Sequence, residues 1–318
     1  MTWVYLVAGL ALLLAGGEGL VRGSVGVATR IGVSPLVIGL TLVGFGTSPP
    51  ELVASVQAAM IGAPGIAVGN IVGSNIANIL LVLGVSALIL PVVTTKEAFR
   101  RDGTVLMGAS LLLVAVALVG TLNRLAGLVF LILLAVYTVY TYRTERNSTK
   151  IAATEETTST DSLAVSLLLT VGGIAGVVFG ASLLVGSAVE IAQRFGMSEA
   201  VIGLTLVAVG TSLPELVTSV MAAIRRHGDV AFGNIVGSNI FNILGIAGVT
   251  ALVSPIDIPP EVVIFDIWAM LATALLLVVF AVTGWRITRG EGAVFVFGYC
   301  LYLAVQLSPA LRQSMGLA

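Results

Sequence analysis

Two glutamates stand where a carboxylate is hard to explain by packing. Glu51 closes the string Gly46-Thr47-Ser48-Pro49-Pro50-Glu51, and Glu215 closes Gly210-Thr211-Ser212-Leu213-Pro214-Glu215. Both strings lie in strongly apolar sequence, where a buried ionisable side chain is expensive and marks a functional site by default. Thr47 and Ser48 precede Glu51 by four and three residues, so on a helix their hydroxyls share its face. Thr211 and Ser212 repeat the arrangement around Glu215. The prolines add backbone oxygens. Pro50 has no N–H for the Gly46 carbonyl, Pro49 none for that of Phe45, and Pro214 none for that of Gly210. Broken turns at membrane depth persist only where protein or a wet cavity satisfies the freed groups. A cation is one such partner.

A second motif follows each of these. Gly69-Asn70-Ile71-Val72-Gly73-Ser74-Asn75 leads to Asn78, and Gly233-Asn234-Ile235-Val236-Gly237-Ser238-Asn239 leads to Asn242. Asn70, Ser74 and Asn78 recur every four residues and form one polar stripe; Asn234, Ser238 and Asn242 form another. The Gly69/Gly73 and Gly233/Gly237 pairs are small-residue patterns that let a second helix approach closely. For Asn70 and Asn234 the competing reading is interhelical glue. Pooled, the groups are two carboxylates with hydroxyls, amides and freed carbonyls, all hard oxygen donors. Such a set suits calcium, which takes 6–8 oxygens, and not a soft transition metal. Two carboxylates balance one divalent ion, and the flanking oxygens suit sodium. One site competing for both ions is the chemistry of an exchanger.

The two blocks are one block written twice. Thr211 lies 164 residues beyond Thr47 and Ser238 lies 164 beyond Ser74, and Ile38-Gly39-Leu40-Thr41-Leu42 is matched by Ile202-Gly203-Leu204-Thr205-Leu206. The surrounding chain of 318 residues is 58% hydrophobic and only 10% charged, against about 25% charged in soluble domains. Apolar runs long enough to cross a bilayer recur along it. We read ten spans, near 3–28, 34–60, 65–90, 101–120, 124–142, 163–192, 198–224, 229–252, 262–284 and 291–311. The expected fold is an all-α polytopic membrane protein in which residues 1–142 and 163–318 are five-helix repeats joined by a polar linker, 143–162. An odd number of spans per repeat inserts the second half upside down, and inverted repeats with a midplane site are the architecture of secondary transporters.

Loop charge gives an orientation. Arg30, Lys96, Arg100, Arg101, Arg143, Arg146, Lys150, Arg225, Arg226, Arg286 and Arg289 fall in alternate loops, against Arg124, Arg194 and Arg312 opposite. The basic side is expected in the cytoplasm, with both termini outside and the linker inside the cell. The near-neutral net charge of −1 gives no basic surface for nucleic acid. A single cysteine, Cys300, excludes an internal disulfide and a thiolate cluster, and a single histidine, His227, excludes a His-based zinc site. No nucleophile–base set suggests an enzyme, no cofactor is implied, and no obligatory protein partner is indicated. The expected partners are the transported ions and the lipid bilayer.

The duplicated GTSxPEL and GNIVGSN signatures closely resemble those of the sodium/calcium exchanger family, and the span pattern extends the likeness over essentially the whole chain. By that resemblance, Glu51 and Glu215 would bind calcium with the backbone carbonyls of Thr47 and Thr211. Sodium would use Thr47, Ser48, Ser74, Thr211, Ser212 and Ser238, with carbonyls near Gly44 and Ala208, and Asn78 and Asn242 would complete the central site. The resemblance also implies alternating access in which the first and sixth spans slide across the core; both are long and rich in glycine. Some relatives have aspartate where this chain has Asn242, and in the potassium-dependent branch that acid goes with potassium transport. Asparagine here implies potassium independence. The 143–162 linker is too short for the calcium-sensing region of animal exchangers, and its Glu155, Glu156 and Asp161 read as a solvated segment. The alternatives are a proton/calcium antiporter of the same superfamily, which usually carries an acid within the Gly73-Ser74-Asn75 motif, and a cation channel, which usually needs several subunits.

Overall fold

The computed structural model describes residues 2–94, 96–152, 162–194 and 208–314. In chain order the helices are α1 (Thr2–Ile31), α2 (Leu36–Thr47), α3 (Pro49–Met60), α4 (Pro64–Ile89), α5 (Lys96–Val119), α6 (Arg124–Ala152) and α7 (Leu163–Arg194), then α8 (Ala208–Thr211), α9 (Leu213–Ile224), α10 (Gly228–Val253), α11 (Val262–Gly284), α12 (Arg289–Leu307) and α13 (Pro309–Ser314). The protein is a helical, multi-pass membrane protein. Eight of the described helices are individually long and apolar enough to cross a bilayer, and α2 and α3, bent by 46° at Ser48, make a ninth span. The expected span at 198–224 is represented by α8 and α9, and its start lies outside the described residues. Helix α6 runs on to Ala152, into the segment expected as a linker. Glu155, Glu156 and Asp161 lie outside the described residues.

Burial separates centre from rim. Helices α4 and α10 have 78% and 83% of their spanning windows buried, whereas the figure is 17% for α12 and 28% for both α6 and α7. The rim helices turn Leu, Val, Ile and aromatic side chains outward, as lipid requires. The centre is therefore the pair of helices that carry the GNIVGSN motifs.

Two short antiparallel ribbons show how the halves are related. The strands are β1 (Val92–Val93), β2 (Thr121–Leu122), β3 (Ile256–Asp257) and β4 (Arg286–Ile287); β1 pairs with β4 and β2 with β3. By the repeat offset, β3 is the counterpart of β1, and β4, one residue further on, that of β2. Helix α5 starts at the β1–β4 ribbon and ends at the β2–β3 ribbon, about 36 Å away for its 24 residues. Its counterpart α11 leaves β3 and ends at β4. Equivalent helices thus run in opposite directions between the same two ends of the molecule. The basic loops gather at the β1–β4 end. Lys96 lies over the Trp285 ring, 6.0 Å from its centroid, Arg289 donates to the Ile89 carbonyl at 3.1 Å, and the turn after Arg225 and Arg226 packs on β1.

The halves share further bracing. The Tyr137 hydroxyl on α6 donates to buried Asp102 on α5 at 3.1 Å, and that of Tyr302 on α12 donates to Asp266 on α11 at 3.0 Å. Asp266 lies near the start of its span and is tied by this bond to the neighbouring helix.

Candidate ion-binding site

Helix irregularities bring the polar residues together. The regular ladder breaks at Ser48 (φ −91°, ψ 10°) and at Ser212 (φ −91°, ψ 8°), each just before a proline-led helix whose first turn carries the glutamate. Wide turns with i→i+5 bonding occupy Gly39–Val43 in α2, Asn78–Leu83 in α4 and Phe241–Ile246 in α10. Such turns shift the helix register and are frequent at functional sites. Here they hold Asn78 and Asn242 and end beside Gly44. Helix α3 packs against the wide turn of α10, and α9 against the wide turn of α4, so each glutamate helix abuts the asparagine helix of the other repeat.

Glu51 and Glu215 are 2% and 1% exposed. The Ser48 hydroxyl stands 2.9 Å from Glu215 Oε1 and 2.9 Å from the Gly44 carbonyl, which joins the repeats directly. The Gly44 oxygen also accepts from Ser238 at 3.3 Å and from Thr47 at 3.4 Å. Thr47 reaches across to Asn234 Oδ1 at 3.5 Å. Ser212, the counterpart of Ser48, is buried, and among the described residues its hydroxyl has no hydrogen-bond partner. Ser74 is buried on α4 and Thr211 half-buried at the end of α8, the four-residue helix that Ala208 begins.

The chemistry is that of oxygen acceptors in excess. Among the described residues, Glu51 Oε2, Glu215 Oε2, Asn78 Oδ1 and Asn242 Oδ1 are buried with no hydrogen-bond donor. Buried polar atoms are ordinarily paired, and leaving one bare costs about 1–3 kcal/mol, more for a charged group. A desolvated cation satisfies several such oxygens at once. No group of three or more His, Cys, Asp or Glu side chains occurs among the described residues. The formal charge of the cluster therefore comes from two carboxylates.

The family described as sodium/calcium exchanger protein matches residues 1–143 and 165–308. The chain belongs to this family. It is 34% identical to the sodium/calcium exchanger MaX1 of Methanosarcina acetivorans, over 96% of this chain and 98% of that protein. It is 36% identical to the putative antiporter CaxA of Alkalimonas amylolytica, over 94% and 96%. A solved structure of the sodium-calcium exchanger NCX_Mj, soaked with 10 mM Na+ and 10 mM Sr2+, superposes with a TM-score of 0.84 at 36% identity and covers 95% of this chain. These matches run the length of the exchanger fold, so the likeness is not confined to the two motifs.

Sequence reasoning missed some members of this exchanger's polar cluster. Asn78 donates to Asn239 Oδ1 at 3.1 Å, a contact between the two central helices. Ser55 and Ser219 are fully buried partners of Asn70 and Asn234. The signal was available, since Ser219 lies 164 residues beyond Ser55. The small-residue pairs divide. A Cβ at Gly233 or Gly237 would overlap the carbonyls of Leu36 and Leu40 on α2, so that close approach is real. The repeat counterparts of Leu36 and Leu40, which would face Gly69 and Gly73, lie outside the described residues.

Proposed function

We propose that this protein is a secondary active antiporter that exchanges sodium for calcium by alternating access. The observation that carries the reading is the Ser48–Glu215 contact between repeats, beside a second buried carboxylate and amide oxygens that lack donors. In this reading Glu51 and Glu215 hold calcium, assisted by the Thr47 and Thr211 carbonyls. Sodium takes the hydroxyl and carbonyl oxygens of Thr47, Ser48, Ser74, Thr211, Ser212, Ser238, Gly44 and Ala208, and Asn78 and Asn242 close the centre. Repeats at 1–142 and 163–318 flank the site, with 143–162 as a cytoplasmic linker. The end bearing Lys96, Arg225, Arg226, Arg286 and Arg289 faces the cytoplasm and both termini lie outside, which follows from the gathering of basic loops.

Ion competition follows from charge. Two carboxylates neutralise one calcium ion, and more than two sodium ions in exchange move net charge across the bilayer, so the cycle is electrogenic. Asn242 contributes no third negative charge to hold an added monovalent ion, so exchange does not need potassium. The helices that slide are α1 and α7, which meet along a glycine seam where a Cβ at Gly16 would stand 2.7 Å from the Val177 nitrogen. The test is calcium-45 uptake into sodium-loaded proteoliposomes, beside potassium-loaded and acid-loaded controls. Uptake driven by the sodium gradient alone supports the reading. Uptake driven by an acid interior moves the protein to proton exchange, and uptake that follows voltage without a counter-ion gradient makes it a channel.

A further inference from the structure

The glutamate helices start without the usual fastening. Ser48 and Ser212 occupy the N-cap positions of α3 and α9, and neither side chain makes a cap bond. The first turn, which carries the carboxylate, follows directly on a break in the chain. Pro49 and Pro50 in α3 and Pro214 in α9 offer no N–H to the turn before them, so the backbone ties the glutamate turn only weakly to the preceding helix.

A neighbouring helix supplies the fastening in both halves. Asn70 Nδ2 on α4 donates to the Glu51 backbone carbonyl at 3.0 Å and to Ser55 Oγ at 2.8 Å. Asn234 Nδ2 on α10 donates to the Glu215 carbonyl at 3.4 Å and to Ser219 Oγ at 2.9 Å. Each amide therefore bridges positions i and i+4 of the helix, one full turn, starting at the glutamate itself. Both donors of the NH2 group are spent on this bridge. The group facing the glutamate turn is a donor, so it cannot ligate a cation there. An aspartate of similar size has no donor to offer and would set an anion against a carbonyl oxygen.

We propose that Asn70 and Asn234 are positioning residues: each staples the turn from which its glutamate projects and so sets the reach of the carboxylate into the site. The inference rests on the proposed role of Glu51 and Glu215 as calcium ligands. It replaces the reading of these asparagines as general glue with a specific task, because both bonds fall on the glutamate turn and the same geometry recurs 164 residues later. Binding oxygens displaced by a fraction of an ångström lose affinity for a small hard cation before the fold is lost.

The test measures half-saturating calcium and maximal rate for exchange in proteoliposomes, calcium binding by titration calorimetry and the melting temperature, for wild type, Asn70→Ala, Asn234→Ala, Asn70→Asp, Ser55→Ala and Ser219→Ala. Loss of the amide is expected to raise half-saturating calcium about 3- to 15-fold, and loss of a serine partner about 2- to 5-fold. Asn70→Asp is expected not to rescue. Wild-type calcium affinity in folded Asn70→Ala and Asn234→Ala, with only the melting temperature lowered, would overturn the proposal. Should the asparagine variants not fold, unchanged affinity in both serine variants overturns it instead. A wild type that neither binds nor exchanges calcium fails the functional reading, a result distinct from the loss of the staple alone.

Discussion

Asn70 and Asn234 grip equivalent carbonyls, yet Asn234 is fully buried and touches Thr47 of the other repeat, while Asn70 is only half-buried. The asparagines further along differ as well. Asn78 donates to Asn239 across the centre, whereas Asn75, the counterpart of Asn239, turns back to its own helix and donates to the Ile71 carbonyl at 2.7 Å. The repeats are alike in motif but not in every neighbour, Ala77 standing where the second half has Phe241 and Pro49 where it has Leu213. Chemically matched residues are therefore held differently, and the second half of the site is the more tightly packed.

The first way to break the comparison is to remove one charge at a time. Glu51→Gln and Glu215→Gln each leave a divalent cation with a single carboxylate in a buried site. Breaking a buried ion pair by removing one partner costs about 3–5 kcal/mol, which is a loss of about two to four orders of magnitude. Both variants are expected to lose calcium-45 exchange by at least two orders of magnitude. Equal losses would mean that the two carboxylates bind as a pair; retention of near wild-type exchange in either would remove that residue from the site.

A smaller effect tests the bond between the repeats. Ser48→Ala deletes the hydroxyl that serves both Glu215 and the Gly44 carbonyl. Hydrogen bonds to charged groups contribute about 1.5–3 kcal/mol, so a rise of about 10- to 100-fold in half-saturating calcium or sodium is expected. Ser212→Ala is the matched change beside Glu51, and the ratio of the two effects, measured in the same flux assay, ranks the halves.

Much of this was legible in the sequence because duplication is hard to hide. The 164-residue offset located both glutamates, the hydroxyls before them and the asparagine stripes, and an odd span count implied the inversion seen in α5 and α11. What was not legible depends on contacts between helices distant in the chain. The Asn70 and Asn234 staples needed the packing of α4 on α3 and of α10 on α9. The Asp102–Tyr137 tie joins residues 35 apart whose separation grows to 36 in the second half, so a fixed offset misses it. The i→i+5 turns leave no compositional signature that a scan for apolar periodicity detects.

Packing offers the next test. Gly237→Ala puts a methyl into the Leu40 backbone, which cannot move aside as a flexible side chain would, whereas a Cβ at Gly172 meets nothing within 4 Å among the described residues. Overpacking costs about 1–3 kcal/mol. Gly237→Ala is expected to lower the thermal midpoint measurably, and Gly172→Ala to stay within about 0.5 kcal/mol of wild type. Equal stability of the two would mean that α2 and α10 are not in backbone contact.

The smallest expected effect concerns a contact with no symmetric counterpart. Glu18 on α1 pairs with Arg225 at the end of α9, with an Nε–Oε2 distance of 2.8 Å and an Nη2–Oε1 distance of 2.5 Å. The equivalent of Glu18 in the other half is Ser182. The pair links a helix proposed to slide in one repeat to a helix that carries the site in the other, with no symmetric pair at Ser182. Its side chains are 33% and 56% exposed, so solvent screens most of the Coulomb term and the contribution is at most about 1 kcal/mol. Glu18→Gln and Arg225→Gln are each expected to change the melting temperature little and to move half-saturating calcium by about fivefold at most. If the pair favours one facing, both variants shift the balance of forward and reverse exchange rates by the same small factor, about fivefold at most, and the double variant adds nothing further. Opposite shifts from the two single variants would mean that each residue acts alone and that the bond does not bias the facing.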